Sequence, residues 1–510
     1  MKNKLKQIIK ENSNLLGILC LFIIIQPFID VLTLFENKNL HLFGLTIPTI
    51  IRCVFIGVLG LISLKYIKKK YYKFLIIYAL LLIAYTLIHH NIAGNNGMVI
   101  PDNYKYSLVT ELFYIVRMLL PLAIIQFTRS SKISEEKFLK VIVISTAIIG
   151  TVIFVGNTFC ISYVSYGEGK TILNWLKWFF TDLKQYDFNL LTSKGWFYMA
   201  NQVSGLSMLL LPFCIFATLK KRTFLNFYST IILLISMIML GTRVSSYGWI
   251  LIIACFIIAV TISKYVYNDK RTKTDYYKVL LILMVVGSLF LIKSPISQRE
   301  YGYKLGDLTT LKERPAIYKN DPDKLEEVYK YIEESYEVFK IQETYIFDRY
   351  HYKQDPEFWY NVFDRSIEND GAIENREMQR MISNRIMENN DNNIKYQLFG
   401  YSFSRMRSGK IYMEHDIIAQ IFTMGYIGFI LLMGPYLLVI AIIFIKVLKK
   451  LKRKIPLFNI VFLVSILATI GTSILSGHIF DELFVTIYVG FICGYFLNKL
   501  DRKKEYQNES

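Results

Sequence analysis

Apolar residues along the chain come in blocks of about 18–25, separated by short polar connections and one long polar stretch. A helix of that length crosses a hydrocarbon core of about 30 Å. Twelve blocks are read, at roughly 14–35, 42–64, 73–90, 107–127, 137–158, 197–219, 224–241, 247–263, 277–293, 415–445, 457–476 and 481–498. The pattern predicts an all-α polytopic membrane protein with about twelve transmembrane helices and a large external loop subdomain. Helices 1–9 occupy 1–293, the loop subdomain 294–413, helices 10–12 occupy 414–498, and 499–510 form a tail. No cleavable signal peptide is expected, because the first block is too long and lacks a small-residue cleavage site.

Composition agrees: 53% of the 510 residues are hydrophobic and the mean hydropathy is +0.35, too apolar for a set of soluble domains. The net charge of +19 would suit a nucleic-acid binder, but its distribution does not. Basic clusters at Lys2–Lys10, Lys65–Lys73, Arg129–Lys140, Lys220–Arg222, Lys264–Lys278, Lys446–Lys454 and Lys499–Lys504 fall on every second connection. That alternation is the positive-inside pattern of an even number of spans with both termini in the cytoplasm, and no nucleic-acid partner is expected. The six cysteines are scattered, with no metal or redox spacing.

The alternation puts 36–41, 91–106, 159–196, 242–246, 294–413 and 477–480 outside. Within 294–413, Asp323–Gln342 reads as an amphipathic helix, and Tyr345, Phe347, Tyr350, Tyr352, Phe358, Trp359 and Tyr360 predict a packed subdomain rather than a linker. Trp175, Trp178, Phe179 and Phe180 have the profile of a helix lying at the interface. Ionisable groups inside or beside apolar blocks cost several kcal/mol unless paired, and are functional candidates. They are Asp30, Arg52, Arg117, Arg243, Glu414, His415, Asp416, His478, Asp481 and Glu482, all at mid-depth or in the outer half. A transport path needs polar groups on both sides of the midplane, whereas a site handling substrate on the outer face needs them on one. Structural pairing, such as Asp30 with Arg52, is the alternative for any single residue.

Several strings resemble the O-antigen polymerase and ligase superfamily in its Gram-positive form. Gln26-Pro27-Phe28-Ile29-Asp30-Val31-Leu32-Thr33 resembles the Q-P-x-x-D-x-x-T of its first helix. Gly195-Trp196-Phe197 through Ala200-Asn201 to Pro212 is similar to its G-x-F-x-x-A-N-E segment, with Gln202 in place of Glu. Gly241-Thr242-Arg243 resembles its small-Thr/Ser-Arg/Lys helix end. Ser383-Asn384-Arg385 and Leu398-Phe399-Gly400-Tyr401 resemble the S-G-R and L-F-G-x-G-Y of the large loop, with Asn384 for Gly and with Ser402 and Phe403 departing from the second half. Glu414-His415-Asp416 ahead of Gly425-Tyr426-Ile427-Gly428 resembles E-x-D or H-N ahead of G-x-x-G, and Ser476-Gly477-His478 resembles S-G-H. The family's acidic or His position lies eleven residues before the first Gly; 425 − 414 = 11 selects Glu414 over His415.

The resemblance implies a C-type glycosyltransferase fold acting on the outer face of the bacterial cytoplasmic membrane. Its donor is a glycan on undecaprenyl pyrophosphate, its acceptor another glycan or glycolipid, and other polysaccharide-export proteins are possible partners. The leaving group is already activated, so neither cofactor nor metal is expected. Departing pyrophosphate needs positive charge, and arginine's planar fork suits it: Arg243 and Arg385 are the main candidates, then Arg117. Snorkelling to headgroups, a solvated loop charge, and pairing with Asp30 or Glu111 are the respective structural alternatives. A desolvated carboxylate serves as base for the acceptor hydroxyl: Glu414, with Asp416 orienting it or pairing with an arginine, and His415 as a neighbour. Helix N-capping is the alternative for these acids. Asp30, Asn201 and His478 are assigned supporting roles. The rival reading is a lipid-linked oligosaccharide flippase, which matches twelve spans but not the lack of an internal repeat; a scaffold would not need outer-half arginines.

Overall fold

The computed structural model describes residues 2–29, 46–65, 67, 69–95, 97–268, 272–298, 304–317, 321–411, 413–449 and 456–508. Asp30, the external segment 36–41, and the basic positions Lys68, Lys270, Arg271 and Lys450–Lys454 lie outside the described residues. The described chain is helical, with no strand and one isolated bridge between Tyr163 and Lys170.

The long helices are α1 (Lys2–Ile29), α2 (Ile47–Leu64), α3 (Tyr72–Ala93), α4 (Leu108–Ser130), α5 (Glu135–Thr158), α6 (Ala200–Lys220), α7 (Phe224–Met239), α8 (Arg243–Thr261) and α9 (Asp275–Lys293). The polar stretch carries α10 (Pro322–Ser335), α11 (Pro356–Glu368) and α12 (Asn375–Asn389). After it come α13 (Asp416–Leu432), α14 (Gly434–Leu448), α15 (Leu457–Leu475) and α16 (Leu483–Asn508). Among the described residues nine helices are long and apolar enough to cross a membrane, and α13 with α14, bent by 50°, make a tenth if they form one span. Two shorter apolar helices, Leu15–Ile29 and Phe224–Met239, occupy the remaining blocks.

The chain divides into two compact units. The first comprises 1–74, 116–299 and 432–510. Its centre is α6, whose spanning window is wholly buried and which packs against α5, α7, α8, α15 and α16. Close approach explains two glycines there: Gly490 of α16 sits on the Pro121 carbonyl and Gly494 on the Ile125 carbonyl of α4, where a methyl group would collide. The segment Trp175–Trp178 forms one helical turn, but its aromatics divide. Phe180 is exposed, while Trp178 is fully buried and belongs to the core rather than to an interface.

The second unit comprises 75–115 and 300–431. Its core is aromatic, containing Tyr104, Tyr345, Tyr350, Tyr352, Phe358, Trp359, Tyr360, Phe363 and Tyr401. Nearly all the aromatics that the sequence marked as a packed subdomain are therefore internal, with Phe347 partly buried against them. The Trp359 indole finds its hydrogen-bond acceptor in the Tyr350 carbonyl at 3.0 Å, as a buried indole requires. The amphipathic helix starts at Pro322, capped by the Asp321 carboxylate on the Lys324 amide. It ends at Ser335 rather than near Gln342, because the chain turns over Tyr336–Lys340, with Lys340 left-handed at φ 56°.

Candidate functional site

In the first unit, three of the quoted motifs meet where α6 begins. Asn201 donates from Nδ2 to the Ser476 carbonyl at 3.4 Å. Gly205, one turn further, faces Ile479 so closely that a Cβ would overlap it. Thr242 caps α8 by accepting from the Ser245 amide and donates to Ser204 Oγ at 3.1 Å. Arg243 is the first residue of α8 and is exposed. Gly241, at φ 64°, lies against Thr192, where a Cβ would collide, so this motif glycine is required by backbone geometry.

Gly477 and His478 are both left-handed, at φ 69° and 58°. A histidine in that region is strained, and such strain persists only where surroundings fix it. His478 Nδ1 lies 3.3 Å from Asp481 Oδ2, and Arg117, buried, reaches Glu482 with Nη1 to Oε1 at 3.5 Å. Sequence spacing suggested no metal cluster, yet His478, Asp481 and Glu482 bring one ligand atom each within 4.8 Å of one another. Arg117 already neutralises part of that charge.

Arg52 answers a question left by the Q-P motif. It is buried, its Nε donating to Gln26 Oε1 at 2.9 Å and its Nη2 to the Gln26 carbonyl at 2.6 Å. Gln26 Nε2 in turn donates to the Phe484 carbonyl at 3.2 Å.

In the second unit, Glu414 sits just ahead of α13, where its Oε2 accepts from Arg376 Nε at 2.6 Å. Its backbone amide donates to Gln379 Oε1 at 3.2 Å. Asp416, the first residue of α13, is buried, and His415 is half-buried. Arg385 is held by carboxylates: Nε to Asp355 Oδ2 at 2.7 Å, Nη2 to Asp355 Oδ1 at 2.9 Å and to Glu357 at 3.0 Å. Burial opposes the Asp355 charge, but bonds from Arg385 and the Phe358 amide keep its carboxyl below the usual range; the hydrogen bonds that Arg385 donates to Asp355 and Glu357 raise its guanidinium above its ordinary value.

The L-F-G and G-x-x-G strings explain one another. Tyr401 and Ser402 donate their amides to the Phe422 and Thr423 carbonyls, each at 2.9 Å. Gly400 (φ 89°) and Gly425 (φ 73°) are stacked so that a Cβ on either falls on the other segment's backbone. Gly428 leaves room for Tyr85, whose hydroxyl donates to the Met424 carbonyl at 2.6 Å. Beside them lies an unanticipated network. The buried Glu111 accepts from Ser402 Oγ, from the Ser404 amide at 2.8 Å and from Ser404 Oγ at 2.9 Å, and its other oxygen lies 3.4 Å from His89 Nε2. Glu111 is thus engaged by His89 and the two serines and Arg117 by Glu482.

Sequence reasoning missed Arg376, one of many loop arginines, and the His89–Glu111 pair, whose partners lie near residue 400. The one available signal for Arg376 was polar spacing: Arg376, Gln379 and Ser383 share a helix face, and that face meets Met413 and Glu414.

These features define a multi-span helical membrane protein whose second compact unit, 75–115 and 300–431, includes the long polar stretch. The family described as O-antigen ligase like membrane protein matches residues 13–503, and the chain belongs to it. Membership places the activity among membrane polysaccharide ligases and polymerases. Comparison with curated proteins and with solved structures returned no match.

Proposed function

We propose that the protein is a glycosyltransferase of the outer face of the cytoplasmic membrane. It joins oligosaccharide units carried on undecaprenyl pyrophosphate into a cell-surface polysaccharide, with polymerisation favoured over ligation by the Gram-positive pattern of the motifs. The observation that carries this reading is Glu414: a half-buried carboxylate anchored through its amide, in the family's register. In the step envisaged, the acceptor hydroxyl oxygen bonds to the anomeric carbon of the donor. The bond from that carbon to the pyrophosphate oxygen breaks, and its electron pair leaves with the lipid pyrophosphate. The acceptor proton passes to Glu414, which functions as general base.

The leaving charge requires a fixed cation. Arg243, exposed at a helix start, is proposed for it from its motif. Arg117 and Arg385 bind carboxylates, and each is proposed to support the fold of its own unit. Asn201 and His478 hold the motif turns, and Asp416 stands at the start of α13. No metal is needed to activate a pyrophosphate leaving group. Deletion of the gene tests the assignment in cells: a polymerase leaves single repeat units at the surface, and a ligase leaves none attached. Unchanged surface glycan contradicts both.

A further inference from the structure

We propose that Arg376 exchanges partners during the reaction: Glu414 holds it in the resting protein, and the donor's pyrophosphate takes it over, which frees the Glu414 carboxylate for the acceptor hydroxyl. This rests on the reading of Glu414 as base. Three observations carry it.

The first is accessibility. The pair is short, at 2.6 Å, yet the Arg376 side chain is 35% exposed and that of Glu414 25%. An ion pair so placed contributes little to stability, so an incoming dianion can open it at little cost. Arg385, by contrast, is 19% exposed and gripped in two-pronged fashion by Asp355, which makes it a poor exchanger. The second is that Glu414 does not depend on Arg376 for its place. Its amide is tied to Gln379, and Gln379 donates to the Tyr345 hydroxyl at 3.4 Å. When the guanidinium leaves, the backbone that carries the carboxylate stays where it is. The third is chemical fit. A guanidinium binds a phosphate with the same two-pronged geometry it offers a carboxylate, so one ligand substitutes for the other. Exchange clears Glu414 Oε2, which Arg376 Nε occupies in the resting protein, for the acceptor hydroxyl, and so ties its availability to donor occupancy.

The test measures binding of farnesyl pyrophosphate to the purified full-length protein in detergent. Exchange predicts that Glu414→Gln, which removes the competing carboxylate, binds several-fold more tightly than the parent. Arg376→Gln should bind about tenfold more weakly, the loss of one charge-assisted contact. Adding Glu414→Gln to Arg376→Gln should then change nothing. Should Arg376→Gln fold poorly, Arg376→Lys replaces it, with weaker binding and a smaller gain from Glu414→Gln. Binding by Glu414→Gln equal to or weaker than that of the parent, or a gain that persists without the Arg376 guanidinium, overturns the exchange. Turnover separates this from the base assignment. An inactive Glu414→Gln with parental binding sinks the exchange and leaves the base. A Glu414→Gln that binds more tightly and still makes polymer sinks the base and leaves the competition.

Discussion

Buried guanidinium groups are expensive unless paired, and three seen here find different partners. Arg52 uses a neutral amide and a carbonyl, Arg117 a carboxylate, and Arg405 the carbonyls of Ala93 and Tyr104 at 2.9 and 3.0 Å. Exposed Arg243 and half-exposed Arg376 are the better candidates for meeting a ligand. If Arg243 holds pyrophosphate, Arg243→Lys keeps the charge but loses the planar fork, and activity should fall about tenfold at unchanged protein level; equal activity of the two forms argues for an anchoring role. Glu414→Gln should abolish polymer with little loss of folded protein, while His415→Gln should leave substantial polymer, as read from glycan length on gels beside membrane immunoblots. The reverse result makes His415 the base. For Asp355, a carboxyl held below its usual value by Arg385 adds stability above the ordinary carboxylate range. That contribution is lost as pH falls through the depressed value. Arg385→Gln should therefore lower the melting temperature near neutral pH, and the difference from the parent should shrink toward acid; a constant difference contradicts the pairing.

At the scale of elements, the apolar blocks were readable because a membrane leaves helices few alternatives. The stop of α10 at Ser335 was not, since the amphipathic pattern continues past a turn set by tertiary packing. The L-F-G and G-x-x-G strings were visible as motifs, but their reason is a contact between Gly400 and the Thr423–Gly425 backbone, across a separation that spacing does not reveal. The contact makes a prediction. Gly425→Ala must strain a φ of 73° and displace the Leu398 carbonyl, a cost of about 1–3 kcal/mol from the backbone alone. Gly471→Ala, with nothing near its Cβ, should be neutral or slightly stabilising in helix α15. Thermal unfolding of the purified variants decides, and equal melting temperatures contradict the account. Glu111 teaches the same lesson: the sequence suggested an arginine partner, but the fold supplied His89, Ser402 and Ser404 instead.

For the whole molecule, the charge alternation predicts which connections face outward. Cysteines placed at Asn95 and Asp370 should react with an impermeant thiol reagent on intact cells, and one at Asn268 only after permeabilisation; labelling at 268 on intact cells inverts the orientation. Function separates from transport more directly. Purified protein in detergent has no two compartments, so a flippase has no product there, whereas a polymerase or ligase still makes and breaks bonds. The decisive measurement incubates the detergent-purified protein with undecaprenyl-pyrophosphate-linked oligosaccharide, with and without a strong chelator. The account predicts longer glycans together with released undecaprenyl pyrophosphate, at the same rate in both samples. Donor recovered unchanged contradicts glycosyl transfer, and activity lost to the chelator and restored by a divalent ion contradicts the metal-free mechanism and points to His478, Asp481 and Glu482.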